Sequence, residues 1–245
     1  MAGIVNIMAN RTVAYASRNG GPSRPIALAV VGCLVGVALL VLGIPRMIAG
    51  FQAITSSDVQ WALESGRPVA PERIAAAVAA LSDASGWEPS AERDGLRGFL
   101  LIRQAEATPP GPEREQLYAD AMAAMERGVA FGPVQPHAWV SLAVLRERAG
   151  NVQGAVAALR MSMLSGAFEP RLMLWRLRVG VRLRAAIDEE TLSLLRRQIR
   201  LAWVYASDDV MKLGAESQGG DLIRQSLEEL SEEEVSNYLQ RARRN

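Results

Sequence analysis

Apolar and polar positions divide the chain into two unequal regimes. From Ile26 to Ile44, nineteen consecutive residues carry no charge and no strongly polar side chain, with Pro25 before them and Pro45 after. A helix rises about 1.5 Å per residue, so a run of this length covers a bilayer core of roughly 30 Å. In lipid a single segment satisfies its own backbone only as a helix. The first regime therefore predicts one transmembrane helix over 26–44, closed by Pro45. Beyond it, apolar residues recur every three or four positions, the period of an α-helix with one buried face. No stretch sustains the alternation of a strand, so the remainder predicts an all-α domain.

Turn and cap residues punctuate that domain. A juxtamembrane helix is expected over 51–66, broken at Gly66-Arg67-Pro68. Pro71 suits the first turn of the next helix, which should run to about Ser82, with 85–89 as a loop. Ser90 can cap a helix reaching Ala107, and Thr108-Pro109-Pro110-Gly111-Pro112 is a turn. Leu117, Ala121, Ala124 and Gly128 then recur at spacings of four, three and four. Further helices are expected from His137 to Ala149, through Ala155, Leu159 and Met163, through Leu174, Leu177 and Val181, and from Leu192 to Ala206. Ser231 and Glu234 fit a capping box for a last helix. The implied organisation is a basic arm at 1–25, the span at 26–44, juxtamembrane helices at 45–89, helical hairpins at 90–206, and C-terminal helices with an acidic tail at 207–245.

Charge adds orientation. The arm carries Arg11, Arg18 and Arg24 and no acid, so positive residues flank the span on its N-terminal side. That places the arm in the cytoplasm and the domain across the membrane, which in a bacterium is the periplasm of the inner membrane. A cleaved signal sequence and a lipid-modified Cys33 are the alternatives. The apolar run continues for eleven residues past Cys33 and leaves through Gly43-Ile44-Pro45-Arg46, which favours a retained anchor. Gly32, Gly36 and Gly43 share a face on which a second helix could approach closely, as small residues allow in membranes. The net charge of +1 gives no general attraction to nucleic acid.

Candidate chemistry is sparse. Cys33 and His137 are the only residues of their types, so neither a disulfide nor a Cys–His pair can form within the chain. No phosphate loop, nucleophile elbow or zinc motif occurs. No cofactor and no metal is expected, and an enzyme acting on envelope glycans through an unrecognised acid–base pair is the weaker alternative. Asp188, Glu189, Glu190 and Glu232, Glu233, Glu234 sit where acids favour a helix start. Residues 171–200 hold eight arginines against those first three acids, whereas 216–245 hold seven acids against four arginines.

Residues 138–170 resemble a tetratricopeptide repeat (TPR). Trp139 occupies the aromatic position of the first helix, followed by the large–small pair Leu142 and Ala143. Gly150 lies in the turn, Ala155 at the close contact, and Leu159 and Ser162 where the second helix packs, with Pro170 arriving late. Fainter neighbours extend over about 90–206. The resemblance implies an α-α superhelical domain whose inner groove is lined by the first helix of each pair. It points to His137, Val140, Val144, Glu147 and Arg148, then to Arg176 and Arg184, as a partner-binding groove. The layout is also similar to that of small bacterial membrane proteins with one anchor and a TPR-like domain, some associated with envelope polysaccharide assembly. The expected function is a tethered scaffold or accessory subunit binding another membrane or periplasmic protein. A constitutive subunit whose anchor makes the main contact is an alternative.

Overall fold

A computed structural model of the protein describes residues 23–216 and 219–228. All regular structure among them is helical. Most of the basic arm, the capping box at Ser231 and Glu234 and the acids beyond Glu228 lie outside the described residues. The chain divides into two compact units, Met1–Ile44 and Pro45–Asn245.

Helix α1 spans Ser23–Glu64. Within it Ile26–Phe51 is long and apolar enough to cross a membrane, and none of its apolar core is buried. Leu28 is 74% exposed and Leu39 is 66% exposed, as side chains meant for lipid would be. Two expectations need correction. Pro45 does not close the helix, and 51–66 is not a separate one, because α1 continues through Pro45 to Glu64. A proline removes one backbone donor and crowds the carbonyl four residues earlier. Here Leu, Ile, Met and Ala on either side favour helix strongly enough for it to continue.

The second unit adds α2 (Pro71–Trp87), α3 (Ala91–Ala107), α4 (Pro112–Phe131), α5 (Pro136–Arg148), α6 (Val152–Ser165), α7 (Pro170–Arg182), α8 (Glu189–Glu216) and α9 (Gly220–Glu228). Four of them begin on a proline, whose missing donor costs nothing in a first turn. Ser90 accepts from the Arg93 N–H at 3.4 Å, and Asn151 accepts from the Gly154 N–H at 2.9 Å, as N-caps. Asp188 caps α8 by accepting the Thr191 N–H at 2.8 Å, and that bond holds its carboxyl below the usual range. Gly150 ends α5 with φ at 77°, a conformation that costs glycine nothing. The expected loop at 85–89 begins later, because α2 runs to Trp87. Pro89 sets the stop by forcing Glu88 into the extended region, where its φ is −149°. Helix α8 is kinked at Ala206, whose φ of −149° is not helical.

Successive helices pack as hairpins: α3 with α4, α5 with α6, α7 with α8. Glycines permit the closest approaches. A Cβ on Gly180 of α7 would lie 2.6 Å from a Leu195 methyl of α8, and one on Gly98 of α3 would lie 3.1 Å from the Ala121 carbonyl of α4. The first helices of the hairpins also touch, α3 with α5 and α5 with α7. The larger core runs through α3–α9 and includes Leu142, Leu159, Leu177, Leu195 and Ile199, all fully buried. A smaller core joins Val59 of α1, Ile74, Ala77 and Leu81 of α2, and Leu100 of α3.

One cation lies inside the larger assembly. Arg176 of α7 is fully buried. Its Nε donates to Ser162 Oγ at 2.9 Å, and Nη2 donates to the Ser162 carbonyl at 2.7 Å. Nη1 donates to the Gly166 carbonyl at 2.9 Å and to Gln198 Oε1 at 3.0 Å. Ser162 Oγ in turn donates to the Pro136 carbonyl at 2.8 Å, and Gln198 Nε2 to the Ala167 carbonyl at 2.7 Å. Burial pushes the guanidinium down to about 10, against the pull of Glu169, so it remains a cation at neutral pH. Replacing Arg176 by Met keeps much of the volume but strands the Gly166 carbonyl and the Gln198 amide oxygen, and leaves the Ser162 carbonyl only a long bond from the Ser165 hydroxyl. The expected loss is about 3 kcal/mol, from buried acceptors left without donors. Urea denaturation of the detergent-solubilised chain, followed by circular dichroism, measures it; an unchanged midpoint would refute the structural role.

Candidate functional site

A cavity of about 610 Å³ opens in the second unit against the first two turns of α3, α5 and α7. Volumes of this order are typical of ligand pockets. Its apolar wall includes Leu96 and Phe99 of α3, Met125 of α4 and Trp175 of α7. Its polar wall includes Gln60, Glu92, Gln135, His137, Ser141 and Arg171. The first helices of three successive hairpins therefore meet at their N-terminal ends.

Several of these polar groups are held by the fold. Gln135 Nε2 donates to the Gly128 and Gly132 carbonyls at 3.2 and 3.0 Å, closing the end of α4. The amide oxygen of Gln135 lies against Gly95, where a Cβ would come within 2.8 Å and push the amide aside. Ser141 is nearly fully buried, and its hydroxyl donates back to the His137 carbonyl at 2.9 Å. Trp139, at the aromatic position of the repeat, donates from its indole to the Pro133 carbonyl at 2.7 Å and pins the preceding turn. Glu92 and Arg171 are exposed at the mouth, and Trp175 is half-buried between wall and opening.

The candidate groove residues fall in different places. His137 lines the cavity. Val144 is half-buried on the same helix. Glu147 accepts a forked pair of bonds from Arg182 of α7, at 2.9 Å from Nε and 2.7 Å from Nη2. Arg148 pairs with Glu115 of α4 at 2.5 Å and lies over the Tyr118 ring at 4.2 Å. Two expectations are corrected, those for Val140 and Arg176, and Arg184 lies apart from the cavity. Val140 is fully buried and faces the core. Arg176 is fully buried and serves the polar network, so it presents nothing to a ligand. Arg184 is exposed in a short 3₁₀ turn, Arg184–Ala186, beyond the end of α7. The face of α7 that meets the cavity is Arg171 and Trp175, extended along the helix by Arg178 and Arg182 at spacings of four, three and four. A helical wheel centred on Leu172, Leu177 and Gly180 as the inner face would have found it.

Among the described residues no three His, Cys, Asp or Glu side chains are grouped as a metal site requires. The arrangement offers an apolar slot with a cation and an indole on one wall and a carboxylate on the other. Gly32, Gly36 and Gly43 fall along α1, and a Cβ at any of them would meet no atom within 4 Å. No family model matches the chain, and neither a curated protein nor a solved structure matches it.

The Glu147–Arg182 pair ties α5 to α7 near their C-terminal ends. Arg182 is 48% exposed and Glu147 24%, so water screens the attraction. A double-mutant cycle with Glu147→Ala and Arg182→Ala should give a coupling below about 1 kcal/mol. A larger value, read from denaturation midpoints, would show a buried clamp in place of a surface tie.

Proposed function

We propose that the chain is a membrane-tethered scaffold or accessory subunit that holds a segment of another envelope protein in the groove of α3, α5 and α7. The domain lies in the periplasm, and the anchor is the apolar half of α1 in a bacterial inner membrane. The observation that carries this reading is the cavity itself: three successive hairpins contribute their first helices to one apolar slot. That is the surface a TPR-type superhelix presents to its ligands. Support for a TPR-type packing comes from Ala143 and Ala155, both fully buried within the α5–α6 hairpin, and from the positive φ of Gly150 between those helices. The arginine-rich flank of the span on its N-terminal side supports the orientation. Polysaccharide assembly or export is the setting that the similarity of the whole layout favours. The open strip at Gly32 and Gly36 leaves room for a second copy's helix beside the span.

Two measurements test this. Deleting 26–44 should move the protein from the carbonate-resistant membrane fraction to the soluble fraction, and retention in membranes would defeat the anchor. A photo-crosslinking residue at Trp175 of the full-length chain in membranes should give a discrete adduct with an identified envelope protein. The same residue at Val152, exposed on α6 away from the cavity wall, should not. No adduct from Trp175, or equal adducts from both positions, would overturn the groove reading.

A further inference from the structure

We infer that the groove recognises an acidic linear segment, in which two carboxylates about 10 Å apart flank one apolar side chain seated against Trp175. This deepens the scaffold reading and rests on it. The argument starts from α7. Arg171, Trp175, Arg178 and Arg182 share one face, and three of the four are cations. Their circumstances differ. Arg182 is neutralised by Glu147. Among the described residues Arg171 and Arg178 are both exposed, and neither has a carboxylate partner. Arg176, on the opposite face, is turned into the core. Two uncompensated guanidinium groups therefore bracket the one indole that lines the cavity.

The helix ends push the same way. A helix N-terminus carries a partial positive charge, which acids in the first turn usually balance. Helix α3 has Glu92 and Asp94 there. Helices α5 and α7 have none in the first turn; Glu169 stands at the N-cap of α7 without bonding to it, and Arg171 follows in the first turn. Along α7 the exposed Arg171 and Arg178 outnumber Glu169, so that side of the cavity is electropositive, and the α3 side carries Glu92. A uniformly acidic ligand would meet Glu92, so the acidic part of the segment lies along α7 and the end toward α3 tolerates a neutral or basic residue.

The spacing follows from geometry. Arg171 and Arg178 are seven residues apart, which is about 10 Å along a helix. A chain in the polyproline II form advances about 3.1 Å per residue with three residues per turn, so acids three positions apart lie on one side and match the two arginines. Leu96, Phe99, Met125 and Trp175 leave an apolar slot for a side chain between those acids. Guanidinium forks suit carboxylates, and the indole supplies a flat apolar wall. A lipid headgroup would satisfy the arginines but has no single side chain to fill the slot.

The test selects random dodecapeptides from a display library against the full-length chain in detergent, with Trp175→Ala as the counter-target. Enriched sequences should carry Asp or Glu at positions three apart around an aromatic or aliphatic residue. A synthetic peptide of that pattern should lose at least tenfold in affinity when both acids become Gln. Arg171→Gln and Arg178→Gln should each cost a similar factor, with circular dichroism and melting temperature unchanged. Binding should weaken as salt rises. Enrichment of neutral or basic sequences, no enrichment over Trp175→Ala, or indifference to both arginine changes would overturn the inference. Arginine-dependent binding to phosphatidylglycerol vesicles in place of peptide would overturn it too. The scaffold reading fails separately: a Trp175 adduct with an envelope protein through a neutral or basic segment refutes the acidic ligand and leaves the scaffold intact.

Discussion

The arrangement of the hairpin helices depends on a buried guanidinium that hydrogen-bonds to no carboxylate. Arg176 reaches acceptors on α6, in the turn that follows it, and on α8. Through Ser162 the same network reaches the first residue of α5. Interior charges usually need an opposite charge, because desolvation costs several kcal/mol. Here four hydrogen bonds to neutral oxygens replace the lost water, and the lowered guanidinium pKa records the remaining cost. A methionine would fill the space yet leave the Gly166 carbonyl without this donor and the Ser162 carbonyl with only a long bond from Ser165, since a helix's last carbonyls have no intrahelical partner. The network therefore fixes where α6 stops and how α7 is rotated.

That rotation sets the groove. Residues on a helix advance by about 100°, so a side chain committed to the core decides which others face outward. With Arg176 and Leu177 inward, Arg171, Trp175 and Arg178 must share the opposite side. The same constraint explains why the groove was only half legible in the sequence. Turns and caps read well because proline, glycine and short polar side chains act locally: Ser90, Asn151 and Gly150 perform the tasks their chemistry suggests. His137 was legible for the same reason, standing beside Pro136 at a helix start. On α7 the pattern was ambiguous, since arginines occupy both faces of the helix. Only tertiary partners, Ser162 fourteen residues back and Gln198 twenty-two ahead, reveal which one is internal. Pro45 shows the opposite failure, a local breaker signal overridden by the helix on both sides of it.

The position of a cation along a helix separates structural arginines from those available to a ligand. Arg146, Arg148 and Arg182 lie in the last turns of α5 and α7, where positive charge suits the helix dipole. Each also has a carboxylate: Glu126, Glu115 and Glu147. Arg146 adds a bond to the Gly154 carbonyl of α6 at 3.3 Å, so three helices are tied at that end. These arginines stabilise the array where they stand and need nothing from outside. Arg171 sits in a first turn, where the dipole opposes it, and among the described residues it forms no ion pair, although Glu169 stands at the N-cap. The C-terminal ends of the first helices are thus electrostatically satisfied and laced together, while the N-terminal ends open on an apolar cavity with Glu92 on one wall and Arg171 on the other. On the proposal made above, an acidic segment pairs with Arg171 at that open end, beside the one indole on the cavity wall.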